Sequence, residues 1–186
     1  MGASSMAKVN KIPIGVSPED RAARLAIYNQ FDMNGNGYLS LAEIDKGIRD
    51  VLELPELFDA KPVIIRAYEA SKNMITAKHS FGDDYVSKAE FRYLLIYLRM
   101  YYHLWLEFEE LDKSGERRLG ESDFVNGKEK LAVWGIKMDN PSEKFHELCK
   151  KYGEHAHLTF TDFCDWACNL HLNTAHKTTD SHDDLN

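Results

Sequence analysis

Cysteine is scarce in this sequence of 186 residues, and the three cysteines all lie in its last third. An odd number of cysteines makes a poor disulfide framework, and no secretory signal peptide precedes them. We therefore expect reduced thiols in an intracellular, cytosolic protein. The three residues are Cys149, Cys164 and Cys168.

Long apolar runs and an excess of basic residues are also absent. The most apolar stretch, residues 93–106, contains Arg99 and His103, so it is too short and too polar to span a bilayer. The net charge is −7, from 30 acidic and 23 basic residues. A negatively charged chain attracts divalent cations rather than polyanions, so nucleic acid is not an expected partner.

The sequence lacks the motifs of several enzyme classes: a phosphate-binding glycine loop, a nucleophile elbow and a catalytic zinc helix. We expect no enzymatic activity. Zinc-compatible side chains occur near the carboxyl end, but their intervals match no structural zinc pattern, so loop and core roles are the expected ones. These side chains are His155, His157, Glu154, Cys149, Cys164 and Cys168.

Hydrophobic residues make up 44% of the chain and charged residues 28%, so most of it is expected to fold. Apolar residues recur at the 3.6-residue spacing of helices, without a long alternating strand pattern, which predicts an all-α protein. Ser17 and Pro18 predict the start of the first helix, and a helix break is expected near His103. The predicted regions are a flexible N-terminal arm (1–16), two paired units (17–101 and 102–173) and a flexible polar tail (174–186).

Four repeated helix-loop-helix units organise the region between the arm and the tail. In each unit a polar loop has one apolar residue near its centre and ends in an acid that precedes an apolar residue. Two such loops pair through a short two-residue antiparallel ladder that buries their central residues. The spacing predicts pairing of Leu39 with Val86, and of Leu119 with Leu158. The closing acids are Glu43, Glu90, Asp123 and Asp162.

The first loop, DMNGNGYLSLAE (residues 32–43), has an oxygen donor at every place where a calcium-binding EF-hand loop needs one. Gly37 lies at the sixth place, where the chain turns sharply. The alternative, a turn with solvated acids, does not explain why all six ligand places agree. Only two ligands are charged, which predicts a dissociation constant of about 10⁻⁷ to 10⁻⁵ M or weaker. The predicted calcium ligands are Asp32, Asn34, Asn36, Tyr38 through its carbonyl, Ser40 through a water, and Glu43 through both oxygens.

The third loop, DKSGERRLGESD (residues 112–123), predicts a weaker site. Arg117 replaces the turn glycine, and Asp123 replaces the closing glutamate with a shorter side chain, which favours a smaller, magnesium-like shell. Calcium and magnesium are both candidates for this loop. The candidate ligands are Asp112, Ser114, Glu116, Arg118 through its carbonyl, and Asp123.

The second and fourth loops lack hard oxygen donors at their leading places. The second begins at His79 and has Phe81 at its third place, and neither side chain replaces a hard oxygen donor. The fourth begins at Lys151, whose ammonium repels a cation, and continues with Gly153 and His155 at its third and fifth places. Both loops are predicted to support the competent loops rather than to bind metal.

Several longer stretches are more specific than a calcium loop: FRYLLIYLRMYY leading into FEELDKSG, LAVWGIKMDNPSEKFHEL, and FTDFCDWA. Through them, the sequence from Arg21 to Leu170 resembles the flagellar calcium-binding proteins of trypanosomatids, the calflagin family. The resemblance implies a four-hand helical fold of the calmodulin-like superfamily, a calcium-sensor role, and a location in the flagellum or at its membrane.

The chain departs from that family in two places. Family members bind calcium chiefly through the third and fourth hands, whereas here the first loop is the most complete. Members also begin with an acylated glycine followed by a cysteine for a second lipid. Here Gly2 is present, but Met6 occupies the place where serine or threonine is preferred, and the arm has no cysteine. One myristoyl chain gives only marginal attachment, so stable anchoring is not expected.

These residues lead to the hypothesis of a calcium sensor that changes its contact with a protein target, a membrane or a flagellar component. The alternatives are a structural protein of the flagellum or cytoskeleton and a simple calcium buffer. An aromatic run lines either a target groove or the core, and its helical spacing favours the core. These aromatic residues are Tyr101, Tyr102, Trp105 and Phe108.

Overall fold

The computed structural model describes residues 2–72, 74–75, 84–133, 136–152 and 156–179. The described residues form ten helices and one two-stranded sheet, which is the all-α EF-hand fold that the repeat predicts. The chain divides into two units, Met1–Leu106 and Glu107–Asn186, so the boundary lies later than the one predicted after residue 101.

The first unit contains α1 (Gly2–Val9), α2 (Pro18–Phe31), β1 (Tyr38–Leu39), α3 (Leu41–Asp50), α4 (Pro55–Asp59), α5 (Lys61–Ser71) and β2 (Val86–Ser87). Helix α6 (Phe91–Leu111) begins in the first unit and ends in the second. The second unit continues with α7 (Glu121–Asn126), α8 (Lys128–Val133), α9 (Pro141–Tyr152) and α10 (Phe160–Thr179). None of the described helices is both long enough and apolar enough to cross a bilayer.

Helix α2 begins and ends where the sequence predicts. The Ser17 hydroxyl accepts a hydrogen bond from the Asp20 backbone amide at 3.1 Å, and Pro18 occupies the first turn, where its missing N–H costs nothing. The last residue, Phe31, is fully buried and packs edge-on against Phe91 at 5.5 Å between ring centroids. The position of the first loop, which begins at the next residue, is therefore fixed by the packing of Phe31.

Each unit brings its two loops together through their central apolar residues. In the first unit, Leu39 pairs with Val86 in an antiparallel ladder, and both side chains are fully buried. In the second, Leu119 and Leu158 exchange backbone hydrogen bonds of 2.8 and 2.9 Å. Both predicted pairings are confirmed, although the second is a single bridge in the described residues instead of a two-residue ladder.

The aromatic run of α6 belongs to the core. Tyr101, Tyr102, Trp105 and Phe108 are all buried, so they do not form an open groove in this structure. In the second unit, Phe108 packs against Phe163 at 5.7 Å between ring centroids. The core interpretation of their helical spacing is confirmed.

Two helices are longer than expected. The break predicted near His103 is wrong, because α6 is continuous and contains neither glycine nor proline to interrupt its hydrogen bonds. His103 is exposed and marks the outer face of the helix. Helix α10 continues to Thr179, so part of the predicted flexible tail is helical, while residues 180–186 lie outside the described residues.

The N-terminal arm differs from the flexible segment predicted for residues 1–16. Val9, at the end of α1, is fully buried, and Ile12 is only 6% exposed. Arg24 donates hydrogen bonds to the carbonyls of Pro13 and Gly15, at 3.0 and 2.6 Å. Two apolar residues are too few to show periodicity, and the Arg24 contacts are invisible in the local sequence.

A second guanidinium holds the same segment from a distant part of the chain. Arg92, in α6, donates a hydrogen bond to the Ile14 carbonyl at 2.8 Å. Gly15 leaves room nearby for the Asp20 side chain, because a Cβ at that position would lie 2.0 Å from its carboxylate oxygen. The arm is therefore a packed part of the first unit.

Candidate metal centre

The candidate centre is the loop between α2 and α3, whose first polar side chains fold the backbone around themselves. Asp32 accepts hydrogen bonds from the amides of Asn36, at 3.1 Å, and Gly37, at 2.9 Å, one on each carboxylate oxygen. The amide oxygens of Asn34 and Asn36 each accept from the amide two residues later, at 2.9 and 2.8 Å. The predicted ligands at the first, third and fifth places therefore lie within one small turn.

Gly37 makes the sharp turn at the sixth place. Its φ is +82°, a left-handed conformation that side chains with a Cβ rarely adopt. The hydroxyl of Tyr28, in α2, donates to the Gly37 carbonyl at 2.7 Å. Burial, and then the charge of Asp32, raises the pKa of Tyr28 to about 12, so the hydroxyl keeps its proton at neutral pH. The turn is thus held by a permanent donor from the preceding helix.

The closing residue, Glu43, lies in the first turn of α3 and is only 8% exposed. One carboxylate oxygen accepts from the Ser40 amide and the Ser40 hydroxyl, at 3.0 and 2.8 Å, and the other accepts from the Asn34 side chain at 2.8 Å. These donors are all neutral, so they do not cancel the negative charge of the carboxylate. A buried carboxylate within a set of hard oxygen donors fits a calcium ion.

The third loop has the same backbone arrangement but a different charge balance. Asp112 accepts from the amides of Gly115, Glu116 and Arg117 at 2.9, 3.2 and 2.7 Å. The Glu116 carboxylate, at the fifth place, accepts from the Arg118 guanidinium at 2.8 Å. A metal ion in this loop therefore competes with the Arg118 guanidinium for the Glu116 carboxylate.

The turn and the closing residue of the third loop also differ from those of the first. Arg117 adopts a φ of 58° at the place that Gly37 fills in the first loop. Asp123 is buried, and one of its carboxylate oxygens accepts from the Gly120 amide at 3.2 Å. The third loop fits a metal ion less well than the first.

The closing acids of the other two loops cap helices. Glu90 accepts from the Ser87 amide and hydroxyl at 3.0 and 2.7 Å, and Asp162 accepts in the same way from Thr159 at 2.8 and 2.7 Å. This capping role was missed from the sequence, although the pattern of Ser or Thr followed three residues later by an acid indicates it. The leading residues His79, Phe81, Gly153 and His155 lie outside the described residues, as do Glu154 and Trp134.

Comparisons with known proteins point to one family. The family described as FCaBP EF-hand domain matches residues 9–98, a range that includes the docked arm segment. A flagellar calcium-binding protein of Trypanosoma cruzi is 29% identical over 163 residues, which are 87% of this chain and 76% of that protein. The flagellar calcium-binding protein TB-24 of Trypanosoma brucei brucei is 30% identical over 163 residues, with 87% of this chain and 74% of that protein covered.

Among solved structures, the chain is similar to a homolog of programmed cell death 6 protein from Leishmania major Friedlin. The two are 16% identical, with a TM-score of 0.46, over 94% of this chain and 88% of the other. This likeness is too weak to support an inference about function.

Proposed function

Because this chain belongs to the EF-hand family of flagellar calcium-binding proteins, we propose that it is a calcium sensor whose responsive site is the first loop. The family consists of calcium-binding proteins and not of enzymes. The first loop supports the proposal because it offers a complete oxygen set around a buried carboxylate. The assignment of the six ligands stays a prediction that binding measurements test.

The position of Glu43 carries the proposal, because this residue belongs to both the loop and α3. Bound calcium supplies a double positive charge that favours carboxylate and amide oxygens. In this structure Asn34 directs its amide nitrogen to Glu43 at 2.8 Å. To serve as ligands, Asn34 would present its oxygen, and Glu43 would exchange its present hydrogen bonds for the ion.

Any movement of Glu43 affects the helix that follows it. Ile44 and Ile48, in α3, are fully buried in the first unit. A change in the direction of α3 therefore alters the packing of the core and the access to apolar side chains. This is the physical basis of a sensor, whereas a buffer binds the ion without such a change.

We place the proposed sensor in the flagellum, since the similar proteins of Trypanosoma cruzi and Trypanosoma brucei brucei are named as flagellar. The expected partner is a protein target, and the net charge of −7 favours a basic one. Large apolar side chains that are already exposed in the first unit would contribute to its binding. They are Val16, Leu25, Met33, Ile65 and Met74.

Calorimetric titration with calcium, in the presence of magnesium, tests the site. We expect binding with a dissociation constant of about 10⁻⁷ to 10⁻⁵ M or weaker in the unaltered protein, and loss of that binding in Glu43→Gln. The matched control is Asp162→Asn, which removes the same charge from the closing place of the fourth loop. Equal calcium binding by Glu43→Gln and the unaltered protein would refute the assignment.

Tryptophan fluorescence and binding of an apolar dye, with and without calcium, test the sensor. A calcium-dependent change that disappears in Glu43→Gln supports it. Binding of calcium without either change would identify a buffer instead.

A structural protein is the second candidate, and the capped helices favour it. Glu90 and Asp162 accept hydrogen bonds from the hydroxyls of Ser87 and Thr159 at the starts of their helices, which are contacts that stabilise the hands through protein atoms. Partner binding that persists in a calcium chelator would support this candidate over the sensor.

A further inference from the structure

Tyr68, in α5, and Lys72, the residue directly after α5, hold Asp84 in the second loop, and we propose that they position the calcium ligands of the first loop. These positioning residues are Tyr68 and Lys72, and both contact Asp84. The inference rests on the proposed function, because it concerns the affinity of the same calcium site. It adds a role for the second hand, whose own loop lacks leading metal ligands.

The first contact is an ion pair made by a lysine whose side chain is largely covered. Lys72 Nζ lies 3.1 Å from a carboxylate oxygen of Asp84 and 3.0 Å from one of Glu69. The Lys72 side chain is only 13% exposed. The Lys72 ammonium thus places a positive charge beside Asp84, in a loop that lacks metal ligands at its leading places.

The second contact reaches the backbone of the same residue. The Tyr68 hydroxyl donates a hydrogen bond to the Asp84 carbonyl, and Tyr68 itself is buried. Lys72 directly follows α5, and its amide donates to the Tyr68 carbonyl at 3.1 Å, so the two side chains lie on one face of this helical end. The end of α5 consequently fixes both the side chain and the main chain of Asp84.

A short path along the chain and across one strand pairing leads from Asp84 to the first loop. Two residues after Asp84, strand β2 begins, and its Ser87 pairs with Tyr38 of β1. Tyr38 is the predicted ligand at the seventh place, and it binds through its backbone carbonyl. Contacts that hold Asp84 in place therefore restrain β2, and β2 fixes the position of the Tyr38 carbonyl relative to the other predicted ligands.

Charge alone predicts the opposite effect of removing Lys72. A lysine near an acidic loop repels calcium, so its loss without any positioning role would strengthen binding. The sign of the change in affinity thus separates the two explanations. The expected change is moderate, because the Asp84 side chain is 85% exposed and exposed ion pairs contribute little.

The test compares calcium affinity, measured by calorimetry, among six proteins: the unaltered chain, Lys72→Met, Lys72→Arg, Tyr68→Phe, the Lys72→Met/Tyr68→Phe double variant and Lys88→Met. We expect Lys72→Met and Tyr68→Phe each to bind calcium about threefold more weakly than the unaltered chain, and the double variant about tenfold more weakly. Lys88 is exposed and follows β2 directly, so Lys88→Met removes the same charge without touching Asp84. It is expected to leave affinity unchanged or to raise it slightly. Lys72→Arg keeps the charge and should restore most of the affinity.

Urea unfolding of the same proteins separates positioning from general stability. Lower stability of the double variant with unchanged calcium affinity would overturn the inference, and so would tighter binding by Lys72→Met to the same degree as by Lys88→Met. Failure of the underlying function looks different, because the unaltered chain would then bind no calcium, or Glu43→Gln would bind it equally well.

Discussion

The first and third loops have the same backbone arrangement and differ in the charges around it. In both, the leading aspartate accepts hydrogen bonds from the amides at the fifth and sixth places. Both loops therefore have the backbone shape of a calcium loop. The shape alone does not distinguish a strong site from a weak one.

Charge compensation separates the two loops. The donors to the Glu43 carboxylate are neutral, whereas the Glu116 carboxylate is paired with the Arg118 guanidinium at 2.8 Å. A carboxylate that is already paired with a guanidinium gains less from binding a metal ion. Basic residues inside the ligand frame are thus as informative as the ligands themselves.

The preceding helix and the turn differ as well. Tyr28, four residues before Asp32, donates its hydroxyl proton to the turn of the first loop. Phe108 stands four residues before Asp112 and has no hydroxyl to donate. The turn itself is made by Gly37 in one loop and by Arg117 in the other, both at positive φ.

The largest expected effect comes from Glu43→Asp, which gives the first loop the closing residue of the third. The shorter side chain cannot easily place both oxygens on a calcium ion, so we expect calcium affinity about a hundredfold weaker, with less loss for magnesium. Calorimetric titrations with each ion measure both changes. Asp162→Glu, which makes the reverse change in the fourth loop, is the control and should not create a site. Unchanged calcium affinity in Glu43→Asp would show that the closing residue does not separate the loops.

Local signals in the sequence were sufficient to predict much of the first hand. The cap at Ser17, the positive φ of Gly37 and the pairing of Leu39 with Val86 follow from patterns of a few residues. The cap and the turn depend on backbone geometry that a short segment sets by itself, whereas the pairing follows from the repeated position of one apolar residue in each loop. The EF-hand fold could be predicted for the same reason.

The features that were missed depend on residues far apart in sequence or on residues with two roles. The docking of the arm requires Arg92, which donates to a carbonyl 78 residues earlier. The polar residue His103 indicated a break, but it only marks the exposed face of a continuous helix. The closing acids Glu90 and Asp162 were considered only as places in degenerate calcium loops, which concealed their role as helix caps.

A smaller effect is expected from Tyr28→Phe, which gives the first hand the aromatic residue of the third. Loss of the hydrogen bond to Gly37 should lower the free energy of unfolding by about 1 kcal/mol. The folded-state pKa of Tyr28 is about 12, above its ordinary value, so its contribution is complete at neutral pH and falls as the pH rises toward 12. Urea unfolding at neutral and at high pH should therefore show a difference between the two proteins that shrinks at high pH. A constant difference would contradict the role of the hydroxyl proton.

Arg117→Gly gives the third loop the turn residue of the first and tests whether the turn in the third loop is strained. Glycine removes the steric cost of a left-handed residue but adds freedom to the unfolded chain, so the net gain in unfolding free energy is about 0.5 to 1 kcal/mol. Arg117→Ala is the matched control, because alanine keeps the Cβ and should give no such gain. Equal stability of the two variants would show that the backbone at this place is unstrained.

The smallest expected effect concerns the internal cation of the third loop. Arg118→Gln frees the Glu116 carboxylate, and because both side chains are about half exposed, we expect metal affinity at this loop to rise only about threefold. The measurement is made in a Glu43→Gln background, so that binding at the first loop does not obscure it. Lys113→Gln removes an equal charge from an exposed neighbour that donates to no ligand carboxylate in the described hydrogen bonds. If both variants raise metal affinity equally, the net charge near the third loop explains its weaker binding, and the specific pairing of Arg118 with Glu116 does not.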